Sequence, residues 1–326
     1  MSDVNSKILE LVKKNYSANE ISSVLGITNK QLFYRLNLIK NKGFNIDRKY
    51  YSSGEIEYFV KNSVLDNCDY RNSIFMPKKD ETLKTIVISD LHLSSIFENI
   101  NLLDTIYNYC AKNNIHIIIN TGDVNNSVGY SNNKKIYANS NLKQIEHMLD
   151  VYPYDKNILN YILFGNHDYK MLVDDYIDIG NVLENKRHDL ISLGFGTGKI
   201  RIKNDDIIIR HPLSMEKSKY KKNKIIIEGH HHKAKFIENR QINSIKINVP
   251  TLSDLILNEI PFLKNQALEI IFEFNNGLIN SMYVKQLYIS DMIYVVNETC
   301  IKQISEVENR NSAANLNGEY QYKLKK

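Results

Sequence analysis

Five short apolar runs, each ending in a polar turn, constrain most strongly what this chain can fold into. The runs and the residues that follow them are 86–88 before Asp90 and His92, 115–119 before Asp123, 158–164 before Asn166, His167 and Asp168, 207–209 before His211, and 225–227 before His230 and His232. Runs of apolar, mostly β-branched residues predict buried strands. Since the strands of an open α/β sheet end at a common edge, we expect these polar residues to meet there.

The polar residues at the strand ends are of types that bind metal ions. Asp90 and His92 are two positions apart, so on extended backbone both side chains point the same way. Carboxylate oxygens mixed with imidazole nitrogens suit Mn²⁺, Fe or Zn²⁺ better than Ca²⁺. Taken singly, Asp123 or Asn166 after a glycine is equally typical of a turn cap. The repetition of the pattern at five strand ends favours a metal site.

Five blocks, in this order, resemble the signature blocks of the calcineurin-like metallophosphoesterases. They are Asp90-x-His92, Gly122-Asp123, Gly165-Asn166-His167-Asp168, His211 and Gly229-His230-x-His232. The resemblance covers residues 83–290. It implies an α/β fold in which two β-sheets form a sandwich flanked by helices, and the strand and helix patterns of this stretch fit such a fold.

The resemblance also implies which residues act and with what. One divalent metal ion would be held by Asp90, His92, Asp123 and His232, and a second by Asp123, Asn166, His211 and His230. Mn²⁺ is the first expectation, with Fe and Zn²⁺ as alternatives. His167 would protonate the leaving group as a general acid, and Asp168 would orient His167 or a metal ligand.

Four other histidines lie outside this expected ligand set. His231 lies between two expected ligands and, on extended backbone, should point away from them. We interpret His116, His147 and His188 as structural or surface residues. His188 is kept as a substitute for His211, because the fourth block is the shortest and least distinctive.

The N-terminal segment has a separate pattern that resembles a helix-turn-helix. Apolar residues at helical spacing predict three short helices; Ser17 with Glu20 forms a capping box for the second, Gly26 ends it, and Thr28 caps the third. Residues 44–46 and 56–59 flank a basic, turn-forming stretch, which resembles the β-hairpin wing of a winged helix.

A winged helix would place particular side chains against DNA. The expected contacts are Asn29, Lys30, Gln31, Tyr34 and Arg35 from the third helix, and Arg48 and Lys49 from the wing. Residues 1–62 carry ten Lys or Arg against six Asp or Glu, a net +4 of the formal +5 of the whole chain. A small domain for protein contacts or dimerisation, with solvated basic residues, is the alternative.

These patterns divide the 326 residues into four parts. We expect a winged helix-turn-helix at 1–62, a linker at 63–82, the phosphoesterase domain at 83–290 and a C-terminal tail at 291–326. The three cysteines show no pairing pattern, which favours a reducing cytoplasm. No apolar run approaches the roughly 18 residues needed to cross a membrane, so no membrane partner is expected.

The sequence also narrows the substrate. The turn after Asp123 reads Val-Asn-Asn-Ser-Val and lacks the arginine of the protein Ser/Thr phosphatases, which disfavours a phosphoprotein substrate. The leading hypothesis is a dinuclear metal-dependent phosphoester hydrolase acting on nucleic acid or nucleotides and brought to DNA by its N-terminal domain. Two alternatives remain: a DNA-binding protein whose phosphoesterase domain is a scaffold or sensor, and a small-molecule phosphatase whose N-terminal domain binds a protein partner.

Overall fold

A computed structural model of the chain describes residues 3–61, 70–130, 136, 138–214, 224–239, 244–254 and 265–302. The helices are α1 (Asp3–Lys13), α2 (Ala18–Leu25), α3 (Asn29–Lys40), α4 (Ile100–Asn113), α5 (Asn141–Val151), α6 (Asn166–Asp175) and α7 (Ile179–Lys186). The strands are β1 (Ile46–Tyr51), β2 (Ile56–Val60), β3 (Ser73–Phe75), β4 (Thr82–Ile88), β5 (Ile117–Asn120), β6 (Leu159–Phe164), β7 (Leu190–Phe195), β8 (Thr197–Ile202), β9 (Asp205–Arg210), β10 (Ile225–Glu228), β11 (Lys235–Asn239), β12 (Ser244–Asn248), β13 (Gln266–Asn275), β14 (Leu278–Ile289) and β15 (Ile293–Lys302).

The strands form two sheets. One has seven strands in the order β15-β14-β13-β4-β5-β6-β7, and the other has eight in the order β11-β12-β10-β9-β8-β3-β1-β2. The run β4-β5-β6-β7 is parallel, and so are the pairs β9-β10 and β10-β12. The expected two-sheet α/β sandwich flanked by helices is confirmed.

Alternating side chains of the central strands explain how the layers pack. Val87 of β4 belongs to the apolar core between the two sheets, whereas Ile86 and Ile88 belong to the core under the helices. In β6, likewise, Tyr161 faces the other sheet and Ile162 faces the helices. Because both faces of these strands are covered, their sequences are nearly continuous apolar runs rather than alternating ones.

The N-terminal helices begin and end at the residues that the sequence indicates. Ser17 and Glu20 form the capping box of α2, and Gly26 follows the helix in the left-handed region at φ 63°. Thr28 caps α3, with Gln31 completing a second capping box. These predictions are confirmed; the further likeness to a winged helix-turn-helix stays a prediction.

The hairpin differs from the one expected. Strand β1 runs to Tyr51, so Arg48 and Lys49 lie within a strand, and the turn is confined to residues 52–55. The interpretation of 47–54 as a turn was wrong, because Ile46, Arg48 and Tyr50 alternate inward along the strand. A basic residue at a buried position hides this alternation from a sequence pattern.

The hairpin is also joined to the part of the chain that carries the five blocks. Strand β1 pairs in parallel with β3, and β3 pairs in parallel with β8, so β1 and β2 extend the eight-stranded sheet. The ring centroids of Tyr50 and Tyr161 are 6.1 Å apart, and both residues belong to the core between the sheets. The N-terminal segment therefore shares its apolar core with the rest of the structure.

The four-part division stays a prediction. Strand β3 lies within the expected linker 63–82, while residues 62–69 are outside the described part. Strand β15 lies within the expected tail 291–326, whose residues 303–326 are also outside it. Among the described residues, no helix is long and apolar enough to cross a membrane.

The shared core predicts that the N-terminal segment and the sandwich unfold together. Tyr50→Ala should lower the free energy of unfolding by about 3–5 kcal/mol, as for other large-to-small changes of buried aromatic residues. Denaturant unfolding followed by circular dichroism measures this. Tyr34→Ala is the matched control, because Tyr34 is 64% exposed and its loss should change stability by no more than about 0.5 kcal/mol. If Tyr50→Ala left the main transition unchanged, the cores would be independent.

Candidate metal centre

Five loops bring acids and imidazoles together at the carboxyl ends of strands from both sheets. The loops after β4, β5 and β6 come from the seven-stranded sheet, and those after β9 and β10 come from the eight-stranded sheet. The ligand-type atoms form three groups, each within 4.8 Å of one another. These groups are Asp90, His92 and His232; His92, Asp123 and His167; and Asp123, His211 and His230.

The first group surrounds the Asp90 carboxylate. Oδ1 of Asp90 lies 2.9 Å from Nε2 of His232 and 4.0 Å from Nε2 of His92. The other carboxylate oxygen accepts hydrogen bonds from the Ser89 hydroxyl and from the His230 amide at 3.2 Å. One oxygen is thus held by the protein and the other faces the two imidazoles.

The second centre of charge is Asp123. Its Oδ2 lies 3.1 Å from Nε2 of His211, and Oδ1 of Asn166 lies 3.2 Å from that same nitrogen. Nδ1 of His230 is 3.0 Å from Asn166 Oδ1. The structure therefore brings together all seven predicted ligands, and Asp123 lies in one group with His92 and in another with His211 and His230.

The backbone of these loops adopts conformations that non-glycine residues seldom take. The residues with φ between 47° and 76° include Asp90, His92, Asp123, His230 and His232. Each left-handed residue of this kind costs of order 1–3 kcal/mol. Five of the seven predicted ligands carry this strain, which is typical of functional sites.

Three glycines leave the space that the cluster fills. A Cβ on Gly122 would lie 2.4 Å from the His211 ring, and one on Gly165 would lie 2.2 Å from Asp123 Oδ1. A Cβ on Gly229 would meet the Ser89 hydroxyl at 2.3 Å. Close approach of neighbouring atoms therefore explains why these three positions are glycine.

Several residues that the motifs do not include hold the cluster in place. The Thr251 hydroxyl donates to the Asp90 carbonyl at 2.9 Å, and the Thr121 carbonyl lies 2.9 Å from His211 Nδ1. The second contact assigns the proton of neutral His211 to Nδ1 and leaves Nε2 to bind a metal. Sequence reasoning missed Thr251 and Ser89, since hydroxyl residues near a strand end are too common to single out.

His167 and Asp168 differ in what they contact. Nδ1 of His167 is 2.9 Å from the Asn126 carbonyl, and its Nε2 is 3.9 Å from Asp123 Oδ2. Asp168 accepts hydrogen bonds from the amides of Val124, Asn125 and Gly165 at 2.9–3.1 Å. Asp168 therefore fastens the loop after Asp123 to the start of α6, instead of orienting the His167 ring.

The imidazoles of the predicted ligands fall into two kinds, those whose pKa is lowered and those whose pKa is raised. Burial lowers the pKa of His92 to about 4, and burial together with His211 lowers the pKa of His230. Against the effect of burial, the Asp123 carboxylate raises the pKa of His211 to about 9. Despite its own burial, Asp90 has a pKa held well below its usual range by His232. The carboxylates are ionised, and His92 and His230 are neutral, which is the form that binds metal.

The donors present fit a pair of divalent ions. His92 is 3% exposed, and neither of its ring nitrogens has a hydrogen-bond partner among the described residues. A buried polar atom without a partner costs about 1–3 kcal/mol. A bound cation would give one of these nitrogens a partner, and it would take the place of a proton between Asp123 and His211 or between Asp90 and His232.

The remaining histidines belong to none of the three groups. His231 is 2.8 Å from Glu228 Oε1, and His147 is 3.0 Å from the Glu98 carboxylate. His116 contacts the carbonyl of residue 157. His188 packs 5.5 Å from the ring of Phe33 and takes no part in the cluster, so it does not replace His211.

The α3 residues that were predicted to contact DNA differ in their exposure and in their hydrogen bonds. Lys30 is exposed and Tyr34 is 64% exposed. Gln31 completes the cap of α3, Asn29 bonds to two side chains of α2, and Arg35 donates to a side chain of α1 at 3.1 Å. Of the five residues, Lys30 and Tyr34 are therefore the ones whose side chains are exposed and make no such hydrogen bond within the described part of the chain.

Neither basic residue of the hairpin lies on an open wing. Lys49 is 3.2 Å from Glu57 of the neighbouring strand. Arg48 is only 9% exposed, with its guanidinium 6.0 Å from the Phe33 ring centroid. This buried position does not fit the contact with the DNA backbone that was predicted for Arg48.

Comparison with known proteins gives one family match. Residues 83–295 match the model of the calcineurin-like phosphoesterases. No curated protein matches the sequence. Similar solved structures include vacuolar protein sorting 29 of Cryptosporidium parvum (14% identity, 68% of this chain, 100% of that one, TM-score 0.42), a dimetal phosphatase from Danio rerio (9%, 69%, 100%, 0.40) and nuclease MPE of Pseudomonas putida (12%, 65%, 87%, 0.32). The family match spans every residue of the three groups.

The close approach at Gly165 predicts the effect of a single methyl group. Gly165→Ala should displace Asp123 and weaken metal binding about 10–100-fold, the usual cost of disturbing the support of a ligand. Bound Mn²⁺ per chain, measured by elemental analysis after dialysis at graded concentrations, tests this. Gly194→Ala is the control, because its Cβ would meet no atom within 4 Å although its φ is 83°. Native metal affinity in Gly165→Ala would show that the approach is unimportant.

Proposed function

The chain belongs to the calcineurin-like phosphoesterase family, and we propose that it is a dinuclear metal-dependent hydrolase whose substrate is nucleic acid or a nucleotide. Asp123 lies in one group with His92, an expected ligand of the first ion, and in another with His211 and His230, expected ligands of the second; this observation supports the dinuclear assignment. Asp90, His92, Asp123 and His232 would hold one ion, and Asp123, Asn166, His211 and His230 the other. Mn²⁺ is the proposed metal, with Fe and Zn²⁺ as alternatives.

Two such ions polarise a phosphoryl oxygen, activate water near neutral pH and stabilise the charge of an in-line displacement. The side chains of this chain supply the remaining functions. His167 is 20% exposed at the mouth of the cluster, so a leaving group can reach it. Because its Nδ1 faces the Asn126 carbonyl, the proton given to the leaving oxygen would come from Nε2. Asp168 would act by positioning the loop that carries Asp123.

The proposed substrate class rests on the N-terminal segment and on the second block. Helices α2 and α3 are joined by a turn at Gly26, which is compatible with a helix-turn-helix, and residues 1–62 carry most of the net positive charge. The turn after Asp123 lacks the arginine of the protein Ser/Thr phosphatases. We propose that DNA contacts come from the exposed face of α3, at Lys30 and Tyr34, rather than from the hairpin.

Asp123→Asn should abolish hydrolysis of bis(p-nitrophenyl) phosphate with Mn²⁺ while leaving the fold intact, because the carboxylate charge that both ions are expected to share is lost.

His167→Asn should slow hydrolysis of an alkyl phosphoester by about 10²–10⁴-fold and affect p-nitrophenyl esters much less, since the p-nitrophenolate leaving group needs no proton. Initial rates with both esters test this.

Asp104→Asn, an exposed change of the same kind on α4, should retain native rates. Hydrolysis retained in Asp123→Asn would refute the centre. Equal slowing of both esters by His167→Asn would refute the general-acid role.

If α3 contacts DNA, Lys30→Ala should weaken binding of the full chain and reduce the slope of log affinity against log salt by about 1. The full chain is needed because residues 1–62 share the core of the sandwich. Fluorescence anisotropy with labelled duplex measures the slope, and Lys112→Ala, an exposed lysine on α4, serves as the control. Absence of salt-dependent binding would favour the alternative of a protein partner.

A further inference from the structure

A second polar site lies where the N-terminal segment meets the catalytic part. A solvent-open cavity of about 360 Å³ is lined by α3, the β1–β2 hairpin, Arg71 and α7. Its volume lies at the lower end of the range for small-molecule sites, about 300–1,000 Å³. It shares no residue with the metal centre.

The lining of this cavity is positively charged. Lys40, Arg48 and Arg71 face it together with one acid, Glu184. Glu184 is already engaged, because one carboxylate oxygen lies 2.6 Å from Arg71 and the other accepts the Ser192 amide at 2.8 Å. Among the described residues, Lys40 and Arg48 make no ion pair, so about two positive charges are left uncompensated.

Arg48 is the more informative of these two residues. It is 9% exposed, and its guanidinium lies 6.0 Å from the Phe33 ring centroid and 5.7 Å from that of Tyr50. Its Nη1 has no hydrogen-bond partner in the described part of the chain. The guanidinium is hydrogen-bonded to the Tyr58 side chain. Its unsatisfied Nη1 still carries a desolvation cost, which the aromatic rings offset only in part. Burial, and then the neighbouring Arg48, lower the pKa of Lys40, while Asp47 and Glu184 act in the opposite direction.

We propose that this cavity binds a small phosphate-bearing molecule, held by Arg48 and Lys40. The planar guanidinium presents paired donors that match two oxygens of a phosphate, and the lysine adds a point charge. Side-chain amides of Asn37 and Asn185 also line the cavity and can bond to the rest of the ligand. The ligand would contact α3 and β1 on one side and α7 on the other. It would thus tie the N-terminal segment to the helix that follows α6.

Binding of inorganic phosphate, ribose 5-phosphate and AMP to the full chain, measured by titration calorimetry in EDTA, tests the proposal. EDTA keeps metal ions out of the catalytic cluster, so phosphate cannot bind through them. At least one probe should bind with one site per chain, and Lys40→Met should weaken it at least tenfold. Lys42→Met is the matched control, since Lys42 is exposed, two residues away and outside the cavity.

Arg48→Met provides a second measurement. The bound probe should raise the Tm of the native chain and of Lys42→Met, and should leave the Tm of Arg48→Met unchanged. The proposal would be overturned if none of the three probes bound saturably. Binding that is unaffected by Lys40→Met would also overturn it, as would equal binding of succinate, which would show that the site does not select phosphate. None of these outcomes depends on phosphoester hydrolysis.

Discussion

The concentration of buried charge around Asp123 is the constraint on which the rest of this structure depends. Asp90, His92, Asp123 and His211 are almost completely buried, and His230 and His232 are partly buried. All of these except His211 have strained backbone. Such a cluster is costly to assemble, so rigid elements on several sides must hold it. Two parallel strand bundles from different sheets do this, because their carboxyl ends meet across the core. The inter-sheet packing that stabilises the fold therefore also fixes the ligand geometry.

Backbone donors are as important here as the ligands themselves. Asp168 binds three amides that join the loop after β5 to the start of α6, and so it fixes both Asp123 and Asn166. Burial and the nearby Asp123 charge raise the pKa of Asp168, while the three amide donors act in the opposite direction. A motif residue that looks catalytic can thus act by holding the residues that bind metal.

The N-terminal segment is not an appendage on a linker. Through β3, its hairpin becomes two strands of the eight-stranded sheet, and its helices share the core between the sheets. Arg48 is drawn into that junction beside Phe33 of α3 and faces the cavity in front of α7. Helix α3 and the hairpin therefore pack against the same inter-sheet core as the strands that carry the metal-centre loops.

The sequence by itself determined the central strands, the capped helices of the N-terminal segment and the seven ligand-type residues at the strand ends. These depend on local patterns: apolar runs, capping boxes, and polar residues at fixed distances after a strand. Tertiary structure alone decided that residues 47–51 form a strand, that Arg48 is buried, that residues 73–75 join the hairpin to β8, and that Thr251 supports the site. Each of these depends on contacts between segments distant in the chain, and such contacts leave no periodic pattern in the sequence.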